Sequence, residues 1–115
     1  MPDSKEFKSH ETLPWTEVEG FDQPGIDEKI LYQDEKQGTY ARLLKLAPGF
    51  KSGDTPLKHD FDEVVWVLDG YSVNPNTGNR YTPGMYAVFP AGTEHGPFFY
   101  PEGALFIEFR HYVKK

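Results

Sequence analysis

The sequence predicts an all-β domain with the architecture of a sandwich or a barrel. Short apolar segments alternate with turn residues about every 8–12 positions, a spacing that is typical of such folds and leaves no room for a long helix. The chain has 115 residues, among them 11 glycines and 10 prolines, and this length supports one domain with one core. Aromatic residues make up 16% of it, too many for a disordered acidic chain.

The strands are predicted from these segments in chain order. Residues 1–12 are polar and are expected to form a flexible lead, whereas residues 13–115 form the domain. Strands are predicted over 13–18, 29–32, 39–46, 64–68, 71–74, 80–81, 84–89, 98–100 and 104–113. Turn residues separate them, such as Gly70 after the fourth strand and Pro75 at the start of a hairpin turn.

Two of the strands carry predictions about what they face. Residues 64–68 are apolar at every position, so this strand is expected to be covered on both faces. Side chains of the last strand alternate between two faces, because strands have a period of two. One face, which we expect to fill the interior, holds Leu105, Ile107 and Phe109. The other face is partly polar and suits an outer surface or a subunit contact; it holds Phe106, Glu108, Arg110 and Tyr112.

Charge and composition exclude several classes of function. The formal net charge is −6, which disfavours phosphate backbones and anionic membranes, so we expect no nucleic-acid partner and no membrane partner. The absence of cysteine excludes disulfides, thiolate metal sites and thiol nucleophiles. No apolar leader and no apolar segment of membrane-spanning length is present, and we expect a cytoplasmic location. Because nucleophile-elbow, P-loop and dinucleotide motifs are lacking, any catalysis is expected to centre on a metal.

The candidate metal ligands are His59, Glu63 and His95. In an extended strand, His59 and Glu63 would lie on one side but about 13 Å apart, which is too far to share one ion. A bulge or bend at residues 60–62 would bring them together. Taken alone, each of these side chains is more often solvated or hydrogen-bonded than bound to a metal.

Two motifs around these residues resemble those of the cupin superfamily. Residues 53–70 read GDTPLKHDFDEVVWVLDG, and residues 84–95 read GMYAVFPAGTEH. In the first cupin motif, a Gly and a His-x-His pair precede a Glu, and six residues separate that Glu from a Gly, a spacing found here between Glu63 and Gly70. The second motif consists of Gly, five residues, Pro-x-Gly, two residues and His, and it matches throughout. Over about residues 13–112 the chain is similar to small ChrR-type cupins and to small diketone-cleaving dioxygenases.

The resemblance implies a double-stranded β-helix, or jelly-roll, barrel with one divalent metal ion inside it. By motif position the ligands would be His59, Glu63 and His95, a set that suits Fe²⁺ first and also Zn²⁺, Mn²⁺ or Ni²⁺. The first histidine of the pair falls on Leu57, which cannot bind a metal, and the diketone-cleaving cupins use that histidine. His111, at the end of the last strand, is a candidate replacement.

Further residues are assigned to the surroundings of this site. Asp60 and Asp62 are candidates to orient the neighbouring histidine as hydrogen-bond acceptors. Four aromatic side chains are expected to line the pocket, namely Trp66, Phe89, Phe99 and Phe109. Tyr40, Arg42 and Arg110 would contact a ligand only if they faced inward.

The sequence leaves two classes of function open. One is a small metal-dependent enzyme acting on a carbonyl- or enol-type metabolite, by dioxygenase-like C–C cleavage or as a redox-neutral lyase or isomerase. The other is a stand-alone ligand-binding or sensory cupin related to the ChrR sensor domain, and Leu57 favours a form of it without metal. In either class the ligand would be a small molecule, and the resemblance implies a homodimer formed through an outer sheet.

Overall fold

The computed structural model describes residues 6–21 and 23–112, whose regular structure is β-strand apart from one 3₁₀ turn, His10–Thr12. The strands are β1 Thr16–Glu17, β2 Ile26–Asp34, β3 Thr39–Leu46, β4 Phe50–Lys51, β5 Leu57–Lys58, β6 Phe61–Gly70, β7 Ser72–Val73, β8 Arg80–Tyr81, β9 Tyr86–Phe89, β10 Glu94–His95, β11 Phe99–Tyr100 and β12 Ala104–Tyr112. The all-β prediction is confirmed. Among the described residues, no helix has the length and apolarity needed to cross a bilayer.

The strands form three antiparallel sheets. The largest has six strands in the order β1-β2-β3-β12-β6-β9, a second has four in the order β4-β11-β7-β8, and β5 pairs with β10. The last strand, β12, lies in the middle of the large sheet, where it pairs with β3 on one side and β6 on the other. Strands far apart in the sequence are therefore neighbours, as the long connections of a jelly roll require.

The apolar core lies between the six-stranded and the four-stranded sheet. Its buried side chains come from both sheets and include Leu44, Leu46, Phe50, Val67, Tyr100 and Phe106. The ring of Tyr100 lies between the two layers, with its centroid 6.0 Å from that of Phe50 and 5.9 Å from that of Phe106. Apolar contact between two sheets is what makes antiparallel strands stable, because each sheet buries one face.

Packing explains the glycine that ends the first motif. Gly70 has a φ of +71°, which favours glycine, and a Cβ at this position would clash with the backbone of Gly103 and Ala104. Ala104 is also the residue that pairs with Gly70 across β6 and β12. The motif glycine thus allows these two strands to approach closely at the end of the barrel.

The prediction that β6 is covered on both faces is wrong. Its outward side chains Val64, Trp66 and Leu68 are 38%, 47% and 43% exposed, whereas Val67 is buried in the core. No layer of the described chain covers them, so the apolar run reflects an exposed outer face rather than a buried strand.

The two faces of β12 are also the reverse of the prediction. Phe106 and Glu108 are buried, whereas Phe109 is 48% exposed and Ile107 is half-buried. The apolar face therefore points outward, and the partly polar face points into the barrel. The interior accepts Glu108 because arginine side chains from neighbouring positions pair with it. The predicted end of this strand at residue 113 lies outside the described residues.

The predicted lead, residues 1–12, is described only from residue 6 onward. Within it, His10 contacts the large sheet: Nζ of the buried Lys29 donates a hydrogen bond to the His10 carbonyl at 2.9 Å. The same Nζ lies 4.5 Å from the centre of the Trp15 ring, a cation–π contact. The last turn of the lead is therefore attached to β2.

Candidate functional site

A cavity of about 670 Å³ lies inside the barrel against the inner face of the six-stranded sheet. Apolar side chains form much of its wall, among them Leu44, Phe89 and Phe106, and the remaining wall carries charged and imidazole side chains. A cavity of this size and composition is typical of sites for small molecules.

The three candidate ligands, His59, Glu63 and His95, all line this cavity. The chain is not one continuous strand between the first two, because β5 ends at Lys58 and β6 begins at Phe61. The extended-strand spacing of about 13 Å therefore does not apply to them. Nε2 of His95 lies 3.9 Å from Oε1 of Glu63, and the imidazole centroids of His59 and His95 are 4.9 Å apart.

Aromatic rings hold both imidazoles in place. The ring of His59 stacks on Phe61 with centroids 4.5 Å apart, and that of His95 stacks on Phe89 at 4.0 Å. Leu57 pairs directly with His95 across β5 and β10, and it also lines the cavity. The residue at the first histidine position of the motif thus lies beside the imidazole of the second motif.

Both imidazoles are kept neutral by their surroundings. Burial, and next the positive charge of Arg110, lower the pKa of His59 below its ordinary value. Burial, and next the proximity of His59, lower the pKa of His95. Nδ1 of His95 is buried and has no hydrogen-bond partner in the described part of the chain. A neutral imidazole has one nitrogen lone pair that can bind a cation, and Nε2 is the nitrogen of His95 that faces Glu63.

The Glu63 carboxyl group is the most strongly perturbed acid of the cavity. Burial, together with the negative charge of Glu108 beside it, raises the pKa of Glu63 to about 8. The guanidinium of Arg110 opposes this shift, with Nε 3.6 Å from Oε2 of Glu63. A further positive charge nearby, such as that of a bound cation, would therefore stabilise the ionised form of this carboxyl group.

Arg42, Arg110 and Glu108 extend the polar wall of the cavity, and Glu28 lies behind it. Arg42 donates from Nη1 to Glu28 at 2.8 Å and contacts Glu108 through Nε and Nη2, both at 3.1 Å. Arg110 donates from Nε to the same Glu108 carboxylate. The wall is therefore a chain of alternating charges in which Glu108 connects the two guanidiniums.

Three residues predicted near the metal lie elsewhere. His111 is exposed on the outer face of β12, where it pairs with Asp62 of β6, so its predicted role as a replacement ligand is wrong. Asp62 accepts a hydrogen bond from the Ala91 amide at 2.8 Å and so fixes the turn after β9 instead of orienting His59. Asp60 is exposed, and it acts on His59 only through its charge.

Of the four aromatic residues predicted to line the pocket, Phe89 lines the cavity. The other three predictions are wrong. Trp66 and Phe109 lie on the outer face of the large sheet, because strand alternation turns them away from their inward neighbours. The ring of Phe99 lies outside under Nζ of Lys51, at 5.4 Å, and its neighbours Phe98 and Tyr100 line the cavity instead.

The sequence left Arg42 and Arg110 as ligand contacts only if they faced inward and did not assign Glu108 to the site; all three line the cavity. Each is a charged residue within a mainly apolar strand, and alternation brings them to one face: Glu108 pairs with Arg42, and Arg110 pairs with Glu63. If the strand pairing had been known, these cross-strand pairs of opposite charge would have indicated a polar wall inside the barrel.

The donor chemistry of the cavity fits one divalent cation. Two neutral imidazoles and a carboxylate are the set that binds Fe²⁺ or Zn²⁺, and Nε2 of His95 already faces the Glu63 carboxyl group at 3.9 Å. Within residues 6–21 and 23–112, however, no three His, Asp or Glu side chains lie close enough to surround one ion as they stand. The types of ligand and their common cavity therefore fit a cation, whereas a closed coordination shell is not formed.

Comparisons with known proteins agree with this architecture. No curated protein sequence matches the chain. KdgF from a Halomonas species has a TM-score of 0.72 at 23% identity, covering 97% of each chain. An RmlC-like cupin from Shewanella frigidimarina NCIMB 400 has a TM-score of 0.73 at 19% identity, covering 100% of this chain and 97% of the other. A protein described as a putative acetylacetone dioxygenase, from Methylibium petroleiphilum PM1, has a TM-score of 0.75 at 15% identity, covering 99% and 84%.

These structures share the jelly-roll barrel, and the predicted cupin fold is confirmed. At such identities the likeness establishes the fold alone. The family is established by sequence, because the model described as the ChrR Cupin-like domain matches residues 4–114. The chain therefore belongs to the ChrR cupin-like family.

Proposed function

We propose that this cupin is a metal-dependent enzyme that binds one divalent cation through His59, Glu63 and His95 and acts on a small carbonyl- or enol-type metabolite. The observation that carries the proposal is that these three side chains line one small-molecule cavity, with Nε2 of His95 3.9 Å from Oε1 of Glu63. The likeness to proteins described as acetylacetone dioxygenases supports this reaction class. A redox-neutral lyase or isomerase remains the alternative enzyme, because Leu57 stands where those enzymes have a histidine.

Each residue of the proposed metal site would have a distinct role. The two imidazoles would hold the cation as neutral donors, and Glu63 would compensate part of its charge. Such a cation, Fe²⁺ first and Zn²⁺, Mn²⁺ or Ni²⁺ as alternatives, supplies Lewis acidity and, if it is iron, access to dioxygen chemistry. Phe61 and Phe89 fix the imidazole planes by stacking, while the apolar wall excludes water from the bound metabolite.

Metal uptake tests this proposal directly. Metal-free protein is prepared with a chelator and titrated with Zn²⁺ and with Fe²⁺ under anaerobic conditions, followed by elemental analysis. We expect about one equivalent in the parent protein and a loss of affinity of about tenfold or more in His59→Ala and His95→Ala. His111→Ala is the matched control, because it removes an exposed imidazole on the outer face and should bind like the parent. Full occupancy in His95→Ala would contradict the assignment.

The second candidate is a ligand-binding or sensory domain that works without metal. It is favoured by Leu57, which lies beside His95 where the motif has a ligand. In that case, neither cation would bind to the parent protein, while small metabolites would still raise its unfolding temperature. Oxygen consumption separates the enzyme classes, because only the dioxygenase removes dioxygen in proportion to substrate.

A further inference from the structure

We propose that the ligand of this cavity is a small organic acid with an apolar remainder and that Arg110 binds its carboxylate group. The inference rests on the proposed function, since it concerns the ligand of the same cavity. It adds a chemical class and a recognition residue, and neither follows from the cation ligands.

The two arginines of the cavity differ in how many of their guanidinium nitrogens already contact a carboxylate. Arg42 uses all three guanidinium nitrogens: Nη1 bonds to Glu28, and Nε and Nη2 contact Glu108. Its side chain is 6% exposed. It therefore holds the strands together, and each of its three nitrogens already faces a carboxylate.

Arg110 is bonded on one side only. Its Nε donates to Glu108 and lies 3.6 Å from Glu63, whereas Nη1 and Nη2 have no partner in the described chain and are not sealed from solvent. The side chain lines the cavity and is 15% exposed. Two free N–H groups at the end of a planar guanidinium form the fork that binds a carboxylate with two parallel hydrogen bonds.

Aromatic rings fix this fork in advance. The guanidinium carbon lies 4.1 Å from the centre of Phe61 and 5.3 Å from that of Tyr40. Phe61 also stacks on His59, so one ring positions both the proposed carboxylate receptor and a proposed cation ligand. A side chain held in this way loses little conformational entropy when a ligand binds. The carboxylate would thus be received a short distance from the imidazoles.

The charges of the wall favour a single acidic group. Besides Glu63 and Glu108, which contact Arg110, two further glutamates line the cavity, namely Glu19 and Glu94. A phosphate or a polyacid would add several negative charges beside these carboxylates in a partly buried site, whereas a single carboxylate held by Arg110 adds only one.

The apolar part of the cavity determines the remainder of the ligand. Leu44, Phe98 and Phe106 face the same cavity, and the polar groups of Ser52 and Asn74 already bond to the backbone of Phe98 and Gly96. Apolar contact is therefore the main interaction available to the rest of the molecule. Small aromatic or branched oxo acids combine both requirements.

The test compares phenylglyoxylate with phenylglyoxylamide, which is nearly the same in shape but uncharged. Both are titrated by calorimetry into Zn²⁺-loaded and metal-free full-length protein. We expect the acid to bind the parent at least tenfold more tightly than the amide, and we expect this preference to disappear in Arg110→Met. Arg110→Lys, which keeps the charge but not the fork, should retain part of it. The matched control is Arg80→Met, in the exposed hairpin, which should leave the preference unchanged.

Amide affinity in Arg110→Met verifies that the cavity is still formed, and Arg110→Lys provides a second reading if the methionine variant unfolds. The proposal is overturned if the acid binds no better than the amide, if neither binds at about 10 mM, or if both Arg110 variants keep the full preference. Metal uptake of the same samples separates the two hypotheses: normal uptake without acid preference removes only this inference, and acid preference without uptake removes only the metal.

Discussion

The inner face of the six-stranded sheet carries a cluster of charges beside its apolar core, whereas the outer face carries large apolar side chains. On the inner face, Arg42 and Glu108 form one cross-strand pair, and Arg110 and Glu63 form the next. On the outer face, rows of apolar residues cross the same strands in register: Ile107, Trp66 and Tyr86 form one row, and Phe109, Val64 and Val88 form another. Part of the interior is thus charged, and part of the solvent-facing surface is apolar.

In this sheet, buried positions are not always apolar and exposed positions are not always polar, and the exceptions point to function. Buried charges add little stability on their own, because desolvation offsets much of their attraction, so their presence on the inner face indicates a binding function. Exposed apolar rows of this extent on a small domain indicate a surface that another molecule covers.

Removing Glu108 should produce the largest effect. Its carboxylate pairs with both Arg42 and Arg110, so Glu108→Ala leaves two buried or half-buried guanidiniums without their common partner. We expect a loss of about 3–5 kcal/mol in the free energy of unfolding, measured by urea denaturation. Glu102→Ala, in an exposed turn, is the control and should change it by less than about 0.5 kcal/mol. A loss below about 1 kcal/mol for Glu108→Ala would mean that the inner charges are not coupled.

The second prediction concerns pH and metal-free protein. The pKa of Glu63 is raised from 4.5 to about 8 in the folded state, so that state holds the proton more tightly than the unfolded chain does. The stability that this group contributes is complete below a pH of about 4.5 and is lost as the pH rises through about 8, by at most about 1.4 kcal/mol for each pH unit in that interval. In Glu63→Gln this fall should be absent. An identical pH profile in the variant would assign the dependence to another group.

The third prediction uses the departure at Leu57. Because this residue pairs with His95 across β5 and β10 and lines the cavity, Leu57→His places a further imidazole beside the proposed ligands. Zn²⁺ affinity, measured by chelator competition, should rise by about tenfold or more. Thr55→His, in the exposed loop before β5, is the control. Unchanged affinity in Leu57→His would show that the cation is bound elsewhere or not at all.

The outer face should give the smallest change in the stability of the fold and a clear change in assembly. We propose that a second copy of the chain covers it, because Trp66, Tyr86, Val88 and Phe109 present rows that can stack on themselves about a twofold axis. Trp66→Glu should convert a dimer into a monomer of about 13 kDa in light scattering, with an unfolding free energy per monomer changed by less than about 0.5 kcal/mol. A monomeric parent protein at micromolar concentration would contradict this assignment.

The sequence predicted the fold well because turn chemistry and motif spacing are local. Gly70 is an example: its positive φ and the close approach of β12 require glycine, and the motif has a glycine at this position. The facing of β12 could not be predicted in the same way, since its apolar set, with Phe109, was assigned to the interior on hydrophobicity alone. Cross-strand pairing with β3 and β6, which the sequence does not state, places Glu108 and Arg110 inside.

The candidate site was predicted in part for the same reason. The motif spacing selects His59, Glu63 and His95, which all line the cavity. The role of His111 depended on which way a strand end points, and a shift of one residue reverses that direction. The charged neighbours of Glu63 come from strands that are distant in the sequence, so the motif could not predict them.

Diffraction at the metal absorption edge tests the central claim most directly, namely that the inner face is the functional one. Crystals of the parent protein soaked in Zn²⁺ should show one anomalous peak inside the cavity, within bonding distance of His59, Glu63 and His95. A peak only at exposed side chains such as His10 or His111, or no peak in the cavity at saturating Zn²⁺, would contradict the claim.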